Sequence, residues 1–166
     1  MAYSLAFATQ HGSRFPLLTK PIDLRMQEQL RKSENQLRVN LVSEPDVKPL
    51  PRTFEDAVRP TSRAIVVTEA TPPFKVIDVS KAWEGLCGYT FVESKGKTLG
   101  DLLKGPETDT CAATALVNPL MNGEEAGTVL TNYTKSGRKF RNRLRVGPLV
   151  DESGRTSHFV GVLQEC

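Results

Sequence analysis

Between Lys139 and Val146 the chain alternates without a break. Phe140, Asn142, Leu144 and Val146 fall on one side of an extended strand, and Lys139, Arg141, Arg143 and Arg145 on the other. Successive side chains of a strand point to opposite faces. Four cations cannot line a core, because an unpaired buried charge is too costly. The apolar set must therefore face the interior, with Asn142 among it, and the cationic set must face outward. On the preceding strand Thr128, Leu130 and Asn132 also share one face.

The residues around this strand supply its companions. Ala64–Thr68 is β-branched and reads as a strand, Thr71-Pro72-Pro73 as a turn, and Phe74–Val79 as the second strand of a hairpin. Ser80 is placed to cap a short helix through Ala82, Trp83 and Leu86, ended by Gly88. Short helical pieces follow as far as Lys104. Gly105-Pro106 breaks the chain, and Thr108 or Asp109 opens a helix running to about Met121. Three strands complete the chain, Gly127–Thr134, Lys139–Val146 and Ser157–Leu163, joined by turns at Lys135-Ser136-Gly137 and at Asp151-Glu152-Ser153-Gly154.

The first part of the chain has a different texture. Residues 1–20 read as a disordered tail, with an organelle transit segment as the alternative. Residues 21–43 read as a helix: Pro21 suits a first helical position, and Ile22, Met26, Leu30, Leu37 and Leu41 lie on one side. Glu28 with Lys32 and Glu34 with Arg38 are pairs one turn apart, each adding only ~0.2–0.5 kcal/mol. The stripe is too broken for a coiled coil and suits docking on the chain's own domain or on a partner. Residues 44–62 carry Pro45, Pro49, Pro51 and Pro60 and read as a stiff linker, interrupted by a short helical turn over Phe54–Val58. Residues 63–166 form the domain proper.

Two motifs name a family. They are Gly105-Pro106-Glu107-Thr108-Asp109 and Asn132-Tyr133-Thr134-Lys135-Ser136-Gly137-Arg138-Lys139-Phe140. Together they closely resemble a light-oxygen-voltage (LOV) domain, the flavin-binding branch of the PAS sensor domains, over the stretch from about Arg63 to Gln164. The resemblance implies an α+β protein with the PAS fold: a five-stranded antiparallel sheet with short helices on one face, here with an N-terminal helical extension. Because the chain stops at Cys166, just after the last strand, no downstream effector is expected.

The resemblance also implies a site. In LOV domains the asparagines matching Asn132 and Asn142 hydrogen-bond the pyrimidine edge of the flavin. Two buried asparagine amides without partners would cost roughly 1–3 kcal/mol each. A filled or hydrated pocket would satisfy them, and so would pairing with each other or with nearby backbone. Other positions depart from the family. Its pattern Gly-Arg-Asn-Cys-Arg-Phe-Leu-Gln-Gly is here Gly96-Lys97-Thr98-Leu99-Gly100-Asp101-Leu102-Leu103-Lys104-Gly105, one residue longer. The adduct-forming cysteine falls on Leu99 or Gly100, and the flavin-contacting glutamine on Lys104, next to Leu103. The phosphate-gripping arginine becomes Asp101 or Gly100, and its second copy, expected near Val117, is absent. The glutamine of the last strand corresponds to Leu163. The implied cofactor-binding set is thus Asn132, Asn142, Leu99, Leu103, Lys104 and Leu163. Losing two phosphate arginines removes on the order of 3–6 kcal/mol, about two to four decades of affinity. Tight FMN binding is not expected. A flavin without phosphate, another planar or apolar ligand, or a closed core remain as alternatives.

Composition bounds the rest. Hydrophobic content of 39% and charged content of 25% suit a soluble globular protein, and a net charge of +3 is too small to argue for nucleic acid. Cys87, Cys111 and Cys166, with only His11 and His158, offer no metal set, and reduced thiols point to an intracellular, cytoplasmic protein, or to an organelle if the leader is a transit segment. Cys87 reads as a structural thiol. No apolar run approaches the ~20 residues of a membrane span. Gly96-Lys97-Thr98 lacks the first glycine of a phosphate loop, since Phe91 stands there. No paired carboxylates, metal ligands or activated nucleophile can be placed, so no catalytic residue is assigned and an enzyme is not expected. The outward cations Lys139, Arg141, Arg143 and Arg145 form either a solvated face or a seat for an acidic protein partner, which includes Glu28 and Glu34 of the chain's own helix. A homodimer through that helix is a further expectation; nucleic acid is not. The expected function is a sensory or interaction module acting by ligand and partner binding without cysteinyl-flavin photochemistry. The alternative is a flavin-based blue-light or redox receptor with a non-adduct mechanism.

Overall fold

A computed structural model describes residues 48–166. The tail expected over 1–20, the helix over 21–43 and the first linker residues, 44–47, lie outside the described residues. The elements run α1 (Phe54–Val58), β1 (Ala64–Glu69), β2 (Val76–Val79), α2 (Lys81–Cys87), α3 (Phe91–Ser94), α4 (Leu99–Leu103), α5 (Thr110–Ala115), α6 (Val117–Met121), β3 (Ala126–Tyr133), β4 (Lys139–Val150) and β5 (Thr156–Glu165). The strands make one antiparallel sheet in the order β2-β1-β5-β4-β3.

Short helices need caps, because most of their backbone groups lie within a turn of an end. Each of α2 to α5 has one: Ser80 Oγ accepts from Trp83 N, Thr90 from Glu93 N, Thr98 from Asp101 N, and the Asp109 carboxylate from Ala112 N. At Thr90 and Thr98 the bond is reciprocated by Glu93 and Asp101. Gly88 closes α2 at φ 80°, a conformation that favours glycine. The single helix expected up to Met121 is two, broken at Leu116. Pro119 has no N–H to return to the carbonyl of Ala115, and its ring would crowd that carbonyl, so α5 ends there.

Two apolar clusters sit on opposite faces of the sheet. The inner one packs Val66, Leu130, Leu144 and Leu163 against Trp83 and Cys87 of α2 and Leu102 and Leu103 of α4. The outer one joins Leu50 and Ala57 to Ile65, Val67, Leu149 and Val160. The Pro-rich stretch therefore does more than span a gap. Arg145 Nη1 donates to the Lys48 carbonyl at 2.8 Å, Arg63 Nη1 to the Pro49 carbonyl at 2.9 Å, and Val150 N to the Arg52 carbonyl at 2.8 Å. Leu50 is fitted over Gly147, where a Cβ would come within 3.0 Å of its Cδ1.

Candidate functional site

The inner face does not close completely. A cavity of about 340 Å³ lies between β1, β3, β4 and β5 and the helices α4 to α6. Ligand sites start near 300 Å³, so the volume suits a small ligand. Most of its wall is apolar, with Leu130, Leu144, Val146 and Leu163 from the sheet and Leu116 and Leu120 from the helices. Strand alternation puts the sheet residues there: Asn142 stands opposite Leu130, and Asn132 opposite Phe140, so the two asparagines are diagonal neighbours on one face.

All six residues of the implied cofactor set line this cavity: Leu99, Leu103, Lys104, Asn132, Asn142 and Leu163. Asn132 is 6% exposed and Asn142 1%. Asn142 Nδ2 donates to Asn132 Oδ1 at 2.9 Å, and Asn132 Nδ2 donates to the Leu103 carbonyl at 3.2 Å. Asn142 Oδ1 is buried and accepts no hydrogen bond from any described residue. The asparagines thus pair with each other and with backbone, and one acceptor is still left over. Alternation placed Asn142 on the inner face and the family resemblance placed Asn132 there, but neither singled out the Leu103 carbonyl, a main-chain atom from another element.

Gly100 and Val117 also line the cavity, whereas Asp101 does not. Its carboxylate accepts from Thr98 N at 3.0 Å and from the Thr98 hydroxyl at 2.8 Å, bonds that hold its carboxyl below the usual range. Lys104 is the single charged residue of the lining among the described residues. No cysteine is among them. Cys111 is exposed on α5, and Cys87 is buried at the end of α2, where burial pushes its thiol up to about 12 and keeps it protonated. Trp83 is fully buried in the inner core and does not line the cavity.

The outward cations are less uniform than their spacing suggests. Lys139 pairs with Glu107 at 2.9 Å, and Arg145 lies 3.5 Å from Glu125 besides holding the Lys48 carbonyl. Arg143 is half-buried and Arg141 is exposed. Lys139 and Arg145 thus serve contacts within the chain. Among the described residues no helix is long and apolar enough to cross a membrane, and no three metal-ligating side chains cluster.

Residues 62–165 match the family described as PAS domain. Among relatives, a blue-light-activated histidine kinase of Brucella anthropi is 30% identical over 70% of this chain and 25% of its own length. Phototropin-2 of Oryza sativa subsp. japonica is 31% identical over 70% of this chain and 13% of its own. The chain therefore spans a quarter or less of these two relatives. Among solved structures, the LOV domain of the Erythrobacter litoralis EL346 blue-light activated histidine kinase superposes with a TM-score of 0.57 at 28% identity, covering 62% of this chain and 94% of that one. The light-state structure of the Aureochrome1 LOV photoreceptor gives 0.57 at 29% identity over 62% of this chain and 80% of that one.

Proposed function

The chain belongs to the PAS domain family, with LOV domains among its relatives, and from that premise we propose a sensory module that works by binding. Its inner cavity takes a small, uncharged ligand, and the outer sheet face, with Arg141 and Arg143, passes the bound state to an acidic protein partner. It is not an enzyme and forms no cysteinyl-flavin adduct. The observation that carries the reading is the buried, unpartnered Asn142 Oδ1 inside an apolar cavity. A buried acceptor without a donor costs about 1–3 kcal/mol, and a bound ligand or water removes that cost.

The positions matched to the adduct cysteine, Leu99 and Gly100, line the cavity without a thiol. Those matched to the phosphate arginines offer no cation: Gly100 and Val117 line the cavity, and Asp101 is turned to its helix cap. These residues favour a ligand without phosphate. A second reading, a flavin held without its phosphate and photoreduced without an adduct, is favoured by the retained pair Asn132 and Asn142 and by the LOV relatives.

The visible spectrum of the purified protein, before and after blue light, tests both. The first reading expects no flavin band, or a band that shows no adduct. A three-peaked flavin band that bleaches to an adduct and recovers in the dark would overturn it. Arg143→Glu is expected to weaken partner binding with the cavity intact, and Asn142→Leu to change ligand retention.

A further inference from the structure

The β3–β4 and β4–β5 turns both carry the sequence Ser-Gly-Arg, in opposite electrostatic settings. At the β4–β5 turn Ser153 follows Asp151 and Glu152 and precedes Gly154 and Arg155. Its hydroxyl donates to the Asp151 carboxylate at 2.5 Å and accepts from Arg155 Nε at 2.8 Å, so it is engaged on both sides. At the β3–β4 turn Ser136 precedes Gly137 and Arg138, and no acid stands between Glu125 and Asp151. Gly137 N donates to the Thr134 carbonyl at 2.9 Å and Gly137 has a φ of 84°, which folds the chain back tightly and leaves Ser136 exposed at the apex. Ser136 Oγ lies 3.0 Å from Thr134 Oγ1, which accepts from Arg138 N at 3.2 Å. Thr134 is 8% exposed, so Ser136 carries the accessible hydroxyl of the turn.

The three cations beside that hydroxyl tie separate elements to the turn. Lys135 pairs with Glu93 of α3. Arg138 grips Glu165 at the end of β5 through bonds of 2.5 and 3.2 Å, and Lys139 pairs with Glu107, ahead of α5, at 2.9 Å. Three cations and three carboxylates leave the cluster neutral. A phosphoryl group on Ser136 adds a charge of about −1.5 to −2 and three acceptor oxygens, one, two and three residues from Lys135, Arg138 and Lys139. Exposed ion pairs exchange partners at little cost, and bonds to phosphate are the stronger, charge-assisted kind. The cations turn to the phosphate, and Glu93, Glu107 and Glu165 are left facing a like charge.

We propose that Ser136 is a phosphorylation site for a basophilic serine/threonine protein kinase, and that its phosphoryl group releases α3 and the loop ahead of α5 from the β3–β4 turn. In the step, Ser136 Oγ bonds to the γ-phosphorus of ATP and the bond from that phosphorus to the bridging oxygen breaks. ADP leaves with the electron pair, and the hydroxyl proton passes to the kinase's base. An acidic substrate groove attracts Lys135, Arg138 and Lys139 and repels Asp151 and Glu152, which makes Ser153 an internal control. Thr108, next to Glu107, lines the cavity, so the modification acts on the pocket wall from outside, whatever the pocket holds.

Incubation of the full chain with a basophilic kinase and Mg-ATP, followed by fragmentation mass spectrometry, tests the site. One phosphoryl group on Ser136, none on Ser153 and no incorporation in Ser136→Ala are expected. Labelling of a peptide spanning residues 131–141 but not of the folded chain would overturn the proposal, since the turn would then be closed to the enzyme. Labelling of neither, or of Ser153 equally, would overturn the recognition. Hydrogen exchange reads the consequence. In the phosphorylated chain the amides of α3 and of residues 105–109 should exchange about two- to fivefold faster, a gap that narrows in high salt and vanishes after phosphatase treatment. In Lys135→Ala the unmodified chain should already exchange faster at α3, and phosphorylation should add little there. Unchanged exchange in a chain phosphorylated at Ser136 would keep the site and overturn the release.

Discussion

Gly105 lies flat against the ring of Tyr133. A Cβ at position 105 would stand 2.1 Å from Tyr133 Cδ2 and 2.3 Å from Cε2, far inside van der Waals contact. The ring is held in place, since its hydroxyl accepts from Glu107 N at 3.3 Å. Beside it the Thr108 hydroxyl accepts from Gly105 N at 2.9 Å and donates to the Thr131 carbonyl at 2.7 Å. The loop ahead of α5 is thereby clipped onto β3, and the two motifs that mark the family touch.

Gly105→Ala should therefore destabilise the domain by about 1–3 kcal/mol, the usual cost of forcing atoms into a filled space. The midpoint of urea unfolding measures it. Combined with Tyr133→Ala, the loss should be less than the sum of the two single losses, because the second change removes the obstacle. An unchanged midpoint in Gly105→Ala would contradict the contact.

The cavity offers no arginine where a phosphate would be gripped, so FMN should bind no more tightly than riboflavin. Flavin fluorescence titration of the apoprotein reads the ratio directly. A preference for FMN of a hundredfold or more, about 2.7 kcal/mol or above, would mean that another cation, with Lys104 the first candidate, takes the phosphate.

Acid should weaken the clasp between α3 and the β3–β4 turn. Glu93 is hydrogen-bonded by Lys135, then by the Thr90 backbone and hydroxyl, and its carboxyl is held down at about 2 against an ordinary 4.5. A carboxyl whose folded value is depressed stabilises fully above its unfolded value, and that contribution is lost as pH falls toward the folded one. The melting temperature of the wild type should exceed that of Glu93→Gln above about pH 4.5, and the gap should close as pH approaches 2. A gap independent of pH over that window would assign the effect to something other than the charge.

Leu50→Ala should cost about 2–4 kcal/mol, since the side chain is 5% exposed and packs in the outer cluster. Arg145→Ala should cost less globally but loosen the same segment, by freeing the Lys48 carbonyl. Limited proteolysis between residues 48 and 58 should accelerate in both variants. Equal cleavage rates in wild type and variants would show that the segment is held by other means.

Much of the sheet was legible from residue order because a strand's period exposes its two faces. Phe140, Asn142, Leu144 and Val146 turned inward as their alternation required, and Asn132 followed. The ends were less legible. β4 continues through Gly147 and Pro148 to Val150; a Gly-Pro pair reads as a stop, yet β3 has its last partner at Val146, so the proline falls where that edge of the strand is open. β2 starts at Val76 rather than Phe74, whose φ of 62° takes it out of the extended region. The break at Leu116 had a signal in Pro119 that helical composition masked. The grip of Arg145 on Lys48 had none, because it joins positions 97 apart through a main-chain oxygen.

The hydrogen bond from Asn132 to Leu103 has one more consequence. Leu103 is the last residue of α4, and its carbonyl is one of those a helix end leaves unpaired. The same amide therefore serves two masters: it finishes a helix and it orients the cavity's acceptor. A guest that takes the Nδ2 hydrogen now given to Leu103 frees the carbonyl at the end of α4. Such a guest would couple the cavity to the seating of α4, whose Leu99, Gly100 and Leu103 form part of its wall.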